Sequence, residues 1–316
     1  MPQVVLKLPQ GKIKEMEAYY KHSLKSAPPG AIFAAKTSNA SITAYKSGKV
    51  LFQGKAPENE ANKWGTTPVN NQAVGNSVHK KNNNTNGYGF APPNQLFTSS
   101  HIGSDEAGTG DYFGPITVAA AYVTADQIPI LKEIGVKDSK NLTDDMIKSI
   151  AKKIVELQIP YSLVVLRNEK YNKLQAKGWT QGKMKTMLHH HAITNLLEKI
   201  APEKPEGILV DQFSQPNVYQ NHLKSEKATL QENVYFMTKA ESYSIAVATG
   251  SIIARSSFVK EMDKLSNAAG ITIPKGASQK VDQAAASLLK KIGKEELYKY
   301  AKIHFANTLK AEAYLK

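Results

Sequence analysis

Between Thr67 and Asn94 the chain loses any apolar periodicity that could build a core. The stretch holds eight asparagines with glycines and prolines among them, and no carboxylate falls between Glu60 and Asp105. Such a segment cannot bury enough apolar surface to fold and reads as a flexible tether. It divides the chain into a small domain over 1–66, an Asn-rich linker over 67–96 and a larger domain over 97–316. A length of 316 residues suits two domains.

The small domain reads β-α-β-β-β-α. A strand at 3–8 is followed by a helix at 12–24, with Ile13, Met16, Tyr20 and Leu24 on one face. Three short β-rich runs at 31–36, 41–45 and 50–53 precede a helix that Pro57 opens and that runs to Trp64. A sheet covered on one face by two helices leaves its other face free. The larger domain alternates strand and helix, the pattern of an α/β domain with a mixed sheet. Strands are expected at 116–123, 161–166, 207–210 and 233–237. Helices are expected at 143–157, 184–200, 242–265, 281–292 and from 295 onward, the first capped by Thr143 with Asp144 and Asp145 in its opening turn.

Composition narrows the function. Lysine and arginine number 41 against 27 acids, a net charge of +14, and Arg167 and Arg255 are the only arginines. Lysine is a mobile point charge suited to phosphate backbones rather than to bidentate base reading. The excess points to a polyanionic partner. It is densest in residues 1–66, where ten lysines face four glutamates for +6. With no cysteine, disulfide scaffolds, thiol nucleophiles, iron–sulfur clusters and Cys-containing zinc sites are excluded. No apolar run approaches the roughly 20 residues of a membrane helix, and Met1–Tyr20 lacks the apolar core of a secretion signal. A cytoplasmic monomer with no membrane contact is expected.

The chemistry lies in the larger domain. Asp105 and Glu106 sit in Gly103–Pro115, Asp211 closes the apolar run Ile208–Val210, and Glu241 follows Phe236–Ala240. Carboxylates at the ends of buried strands cost free energy unless paired or bound to metal. Hard oxygen ligands favour Mg2+ or Mn2+, and two such ions can clamp a phosphodiester displacement. Asp105 and Glu106 point to opposite faces of a regular strand, so a common site requires the strand to end or bend at Ala107-Gly108. Taken singly, each acid could instead cap a helix or pair with a lysine.

Four separated segments resemble the bacterial type-three ribonuclease H family (ribonuclease HIII), in the family's order. They are Gly103–Pro115, Gly135–Thr143, Ala248–Arg255 and Pro274–Ser278. The N-terminal domain is similar to that family's extension, which resembles one half of the TATA-box-binding protein. The resemblance implies a ribonuclease H-like mixed sheet flanked by helices behind a small sheet-and-helix substrate-binding domain. It implies an endoribonuclease that uses metal-activated water on the RNA strand of RNA–DNA hybrids, leaving 3′-hydroxyl and 5′-phosphate ends. Asp105, Glu106, Asp211 and Glu241 are then the catalytic metal-binding quartet, with Mg2+ or Mn2+ as cofactor. The fourth position is glutamate, as in type-three enzymes, where type-two enzymes carry aspartate. Gly108-Thr109-Gly110 matches the loop that reads the ribose 2′-hydroxyl, the group that separates RNA from DNA. Lys137 and Lys140 match phosphate ligands; read as residues alone, they could equally be solvated surface lysines.

Other features read as structural. Consecutive helical residues lie about 100° apart, so His189-His190-His191 cannot converge on one ion. Ser139, Ser242 and Ser251 lack the setting of a nucleophile. Asp111 reads as a turn or supporting residue, and Arg255 as either an ion-pair partner or a phosphate contact. Two other functions stay open at this level. One is a type-two-like enzyme cutting at single embedded ribonucleotides, and the other is a non-catalytic nucleic-acid-binding protein.

Overall fold

The computed structural model describes residues 3–28, 30–64 and 88–315, which fall into two compact units on either side of residues 65–87. Residues 67–87 of the expected tether lie outside the described residues. Its last part, 88–96, belongs to the second unit: the Phe90 ring packs 5.8 Å from that of Phe236, and Leu96 is buried.

The first unit runs β1 (Gln3–Lys7), α1 (Gln10–Tyr19), β2 (Leu24–Lys25), β3 (Ala31–Lys36), β4 (Ala40–Tyr45), β5 (Lys49–Gly54) and α2 (Pro57–Ala61). Its strands form one antiparallel sheet in the order β1-β5-β4-β3-β2. Strand alternation sorts the two faces. Phe33, Ile42, Val50 and Phe52 pack inward with Ile13 and Met16 of α1 and Ala61 of α2. The expected helix to Leu24 stops at Tyr19, because Leu24 pairs with Ala35 as sheet and Tyr20 is held elsewhere. The buried Tyr20 hydroxyl donates to Glu60 Oε2 (2.9 Å) and accepts from Trp64 Nε1 (2.9 Å). The second helix likewise ends at Ala61, short of Trp64.

The second unit continues with β6 (His101–Ala107), β7 (Ile116–Val123), α3 (Gln127–Glu133), α4 (Asp144–Glu156), β8 (Tyr161–Leu166), α5 (Asn168–Ala176), α6 (Gln181–Ile200), β9 (Ile208–Asp211), α7 (Pro216–Ser225), β10 (Val234–Met237), α8 (Ile245–Ala269), α9 (Gln279–Ile292), α10 (Lys294–Leu297) and α11 (Ala306–Ala313). The sheet order is β10-β9-β6-β7-β8. β9 is parallel to both β6 and β10, whereas β7 is antiparallel to β6 and β8.

Two apolar layers enclose this sheet. Val118 and Ala120 face Leu188, Ala192 and Leu196 of α6 and Tyr219 of α7. Ala119 and Ala121 face Ile147 and Ile154 of α4 and Ala248 and Ile252 of α8. A third cluster joins α9, α10 and α11 to Tyr112, Phe113 and the far end of α8. Among the described residues no helix is long and apolar enough to cross a membrane.

Candidate active site

β6 carries Asp105 opposite Ala119 and Glu106 opposite Val118. Asp105 therefore belongs to the α8 layer and Glu106 to the α6 layer. The strand stays regular to Ala107 and turns only at Gly108 (φ 85°). Because β9 runs parallel to β6 with Val210 beside Ser104, Asp211 emerges next to Asp105 at the same sheet end. β10 then leads through Lys239, in the left-handed conformation (φ 58°), to a single 3-10 turn at Ala240–Ser242 that carries Glu241. Asp211 Oδ1 accepts the Ala240 amide (2.8 Å), which fixes that turn against β9.

Asp105, Glu106, Gly108, Lys140 and Asp211 line a cleft of about 580 Å³, with Asp111, Ser139, Ser251, Arg255 and Lys275. Glu241 joins it through an ion pair with Lys140. The quartet is thus brought together, but its members sit in different environments. Burial raises the Asp105 carboxyl well above the usual range, and the charges of Glu106 and Asp211 add to this. Burial likewise lifts Asp211 to about 6; the Ala240 amide opposes the shift while Glu241 and Glu106 reinforce it. Burial also works against ionised Glu106, yet His189 and Lys185 hold that carboxyl down at about 2. Lys185 Nζ donates to Glu106 Oε1 (2.7 Å), and His189 Nε2 lies 3.0 Å from Oε2.

His189 is fully buried, with Nδ1 2.8 Å from Ser104 Oγ and its ring stacked on Phe213. Lys185 lies over the same Phe213 ring, 4.1 Å from its centroid. Neither Lys185 nor His189 was singled out as a site residue from the sequence. Their spacing of four residues on one helix was the available signal.

Arg255 serves the local architecture. Its guanidinium donates to the carbonyl oxygens of Ser139 and Leu142 and to Asp144 Oδ1, holding the 139–144 segment on α8. Ser139 Oγ and Ser251 Oγ lie 2.8 Å apart. Of the two expected phosphate ligands, Lys140 lines the cleft and Lys137 is exposed outside its lining. Lys275 does line it, paired with Asp144.

The two glycines of the 108–110 loop have different tasks. A Cβ at Gly108 would lie 2.2 Å from the Pro115 carbonyl oxygen and 2.8 Å from the Phe258 ring, on top of the positive φ. That glycine is needed by the fold. A Cβ at Gly110 would meet nothing within 4 Å, so the backbone open to a ligand is at Gly110. Thr109 Oγ1, between them, is buried without a partner.

The donor chemistry at the cleft suits a hard divalent ion. All four acids offer oxygen, Glu241 Oε2 is buried with no hydrogen-bond partner, and burial with neighbouring carboxylates raises the pKa of both Asp105 and Asp211. Among the described residues no three His, Asp or Glu side chains are grouped to hold a metal as they stand. Glu106 is turned to Lys185 and His189, and Glu241 to Lys140.

Comparison with known proteins places the chain in a family. The Ribonuclease HII family model matches residues 102–308, and a domain of unknown function, DUF3378, matches residues 3–76. The chain is 59% identical to ribonuclease HIII of Oceanobacillus iheyensis, over 100% of both chains. It is 54% identical to ribonuclease HIII of Bacillus mycoides, over 99% of this chain and 98% of that one. Among solved structures it is similar to Bst-RNase HIII in complex with Mn2+, with a TM-score of 0.69 and 44% identity over 100% of this chain and 99% of that one. The likeness runs along the whole length of these relatives, and the chain belongs to the ribonuclease HIII family.

Proposed function

We propose that Asp105, Glu106, Asp211 and Glu241 form the cleavage centre of this metal-dependent endoribonuclease, which cuts RNA–DNA hybrids. The observation that carries the assignment is an all-oxygen site in which Asp105 and Asp211 have no ion-pair partner among the described residues: both carboxyls are raised, beside the unpartnered Glu241 Oε2. Mg2+ or Mn2+ held there supplies Lewis-acid activation of water and neutralises charge developing on the phosphate. The chain's own residues then do the rest. Asp211 keeps the Glu241 turn in place through Ala240. Lys185 and His189 keep Glu106 ionised. Lys140, exposed along its side chain, can leave Glu241 for a non-bridging phosphate oxygen, with Lys275 on the same wall. The loop at Gly108-Thr109-Gly110 meets the ribose at Gly110. In-line attack at phosphorus leaves 3′-hydroxyl and 5′-phosphate ends and needs no covalent enzyme intermediate.

Residues 1–66 serve as the substrate-binding domain and 97–316 as the catalytic domain. The strand residues facing away from α1 and α2 include Lys7, Lys25, Lys36 and Lys49 and, among the described residues, no carboxylate. A sheet face with that charge suits a phosphate backbone. We place the protein in the cytoplasm as a monomer, in keeping with its cysteine-free sequence. Incubating it with a labelled hybrid with and without Mg2+ or Mn2+, beside Asp211→Asn, tests the assignment. Cleavage should require both the metal and Asp211, and a fully active variant would remove the quartet.

A further inference from the structure

The 108–114 loop lies outside the ladder hydrogen bonds of the sheet, yet it must hold its backbone still if it is to recognise a hydroxyl. Three of its carbonyl oxygens are taken by side chains from distant segments. Gln181 Nε2, at the start of α6, donates to the Thr109 oxygen (3.0 Å) and also to the Tyr171 hydroxyl (3.2 Å). Lys302 Nζ donates to the oxygens of Asp111 (2.7 Å) and Gly114 (2.6 Å). Asp111 Oδ1 accepts the Gly276 amide (2.5 Å), and the Lys302 amide donates to the Tyr112 oxygen (2.8 Å).

Lys302 has no solvent-exposed surface. A lysine is almost never fully buried without a reason. Burial pulls its pKa down to about 7, and even the neutral amine has two hydrogens for these two acceptors. Met would fill similar volume without the donors, so packing alone does not account for a lysine here.

We infer that Lys302 and Gln181 are positioning residues for ribose recognition, clamping the 109–114 backbone from both sides so that Gly110 faces the 2′-hydroxyl in a fixed place. The inference rests on the reading of this loop as the 2′-hydroxyl contact. It makes the C-terminal segment, remote in sequence from the carboxylates, a part of RNA selectivity.

The test uses the full chain and two hybrids. One has an all-RNA strand; the other carries a single 2′-deoxynucleotide at the preferred cut. Single-turnover rates at that cut give a ribo-to-deoxy ratio. For Lys302→Met and Gln181→Met the RNA rate should fall by on the order of 10- to 100-fold, the size expected of a mispositioned reacting group. The deoxy rate should barely change, so the ratio shrinks, and KM should hold. A purely structural role would lower the melting temperature and leave the ratio intact. If Lys302→Met fails to fold, Gln181→Met decides alone. Folded variants with the wild-type ratio overturn the clamp. A wild-type ratio near one overturns the hydroxyl-reading loop itself and the clamp with it.

Discussion

Gly103 of β6 and Gly250 of α8 meet backbone to backbone. A Cβ on Gly250 would lie 3.1 Å from the Gly103 carbonyl oxygen and 3.0 Å from that of Ala119, and a Cβ on Gly103 would lie 2.0 Å from the Val247 amide nitrogen. The helix that carries Ser251 and Arg255 is thereby seated directly under Asp105. Gly103→Ala cannot be relieved by rotating a side chain, since every obstructing atom is backbone. It should cost about 3 kcal/mol or more, the upper end for overpacking, with Gly250→Ala milder. Urea unfolding of both variants, followed by far-UV circular dichroism, checks the order. A neutral Gly103→Ala would mean that α8 can lift from the sheet freely.

Removing a carboxylate should separate metal binding from folding. A ligand that binds only the native state stabilises it, by about 2.7 kcal/mol at a hundredfold excess over Kd. Wild type should melt higher in Mn2+. Asp211→Asn and Glu241→Gln should lose most of that increment and drop turnover by on the order of 100-fold or more, while still binding the hybrid. Melting curves with and without Mn2+, paired with a gel-shift titration, read the two effects apart.

Residues 88–316 alone should keep the chemistry and lose affinity. Tethered binding raises avidity by roughly 10²- to 10⁴-fold through effective concentration. The shortened chain should show a raised apparent KM with kcat much less altered. Its affinity should also fall less steeply with salt, by about 0.9 in log–log slope for each phosphate no longer neutralised. Hybrid binding across a salt series decides it; equal slopes would leave the small domain a folding aid.

Glu60 anchors the first unit's polar network, accepting from Tyr20, from Lys63 (2.9 Å) and from Asn39 (3.3 Å). Burial works against its ionised form, but these donors prevail and its pKa is lowered. A lowered carboxyl contributes stability that is present above the unfolded pKa of about 4.3 and lost as pH falls through the folded value. Glu60→Gln should therefore cost about 1–3 kcal/mol at pH 7 and progressively less in acid. Thermal melts of the variant and wild type at pH 7 and pH 3 measure this; a pH-independent difference would make the effect steric.

Much of this was legible in the residues. Apolar runs ending in acids marked Asp105, Asp211 and Glu241, and the Thr143 cap opened α4 where expected, its side chain accepting the Met146 amide. What escaped was tertiary. Residues 88–96 look like tether by composition but fold because Phe90 finds Phe236. The helices α3, α5 and α7 were not anticipated. α5 has a weakly apolar face of its own, and its buried Asn172 is held by the Tyr298 and Ala301 carbonyl oxygens, far away in sequence. His189 could be excluded from a three-histidine metal site by helix geometry, but nothing local to 185–191 shows that β6 brings Glu106 against it.

Asp105 and Glu106 are neighbours in sequence yet answer to different halves of the molecule, one packed with α8 and the other engaged by α6. The proposed centre draws on both faces of the sheet, like a seam that holds only while both pieces of cloth lie flat. Loosening either layer moves one carboxylate relative to the other before any strand has to break. On gradual denaturation the enzyme should therefore fall silent while its circular dichroism still reads native, and activity becomes the more sensitive gauge of how firmly the two layers are pressed together.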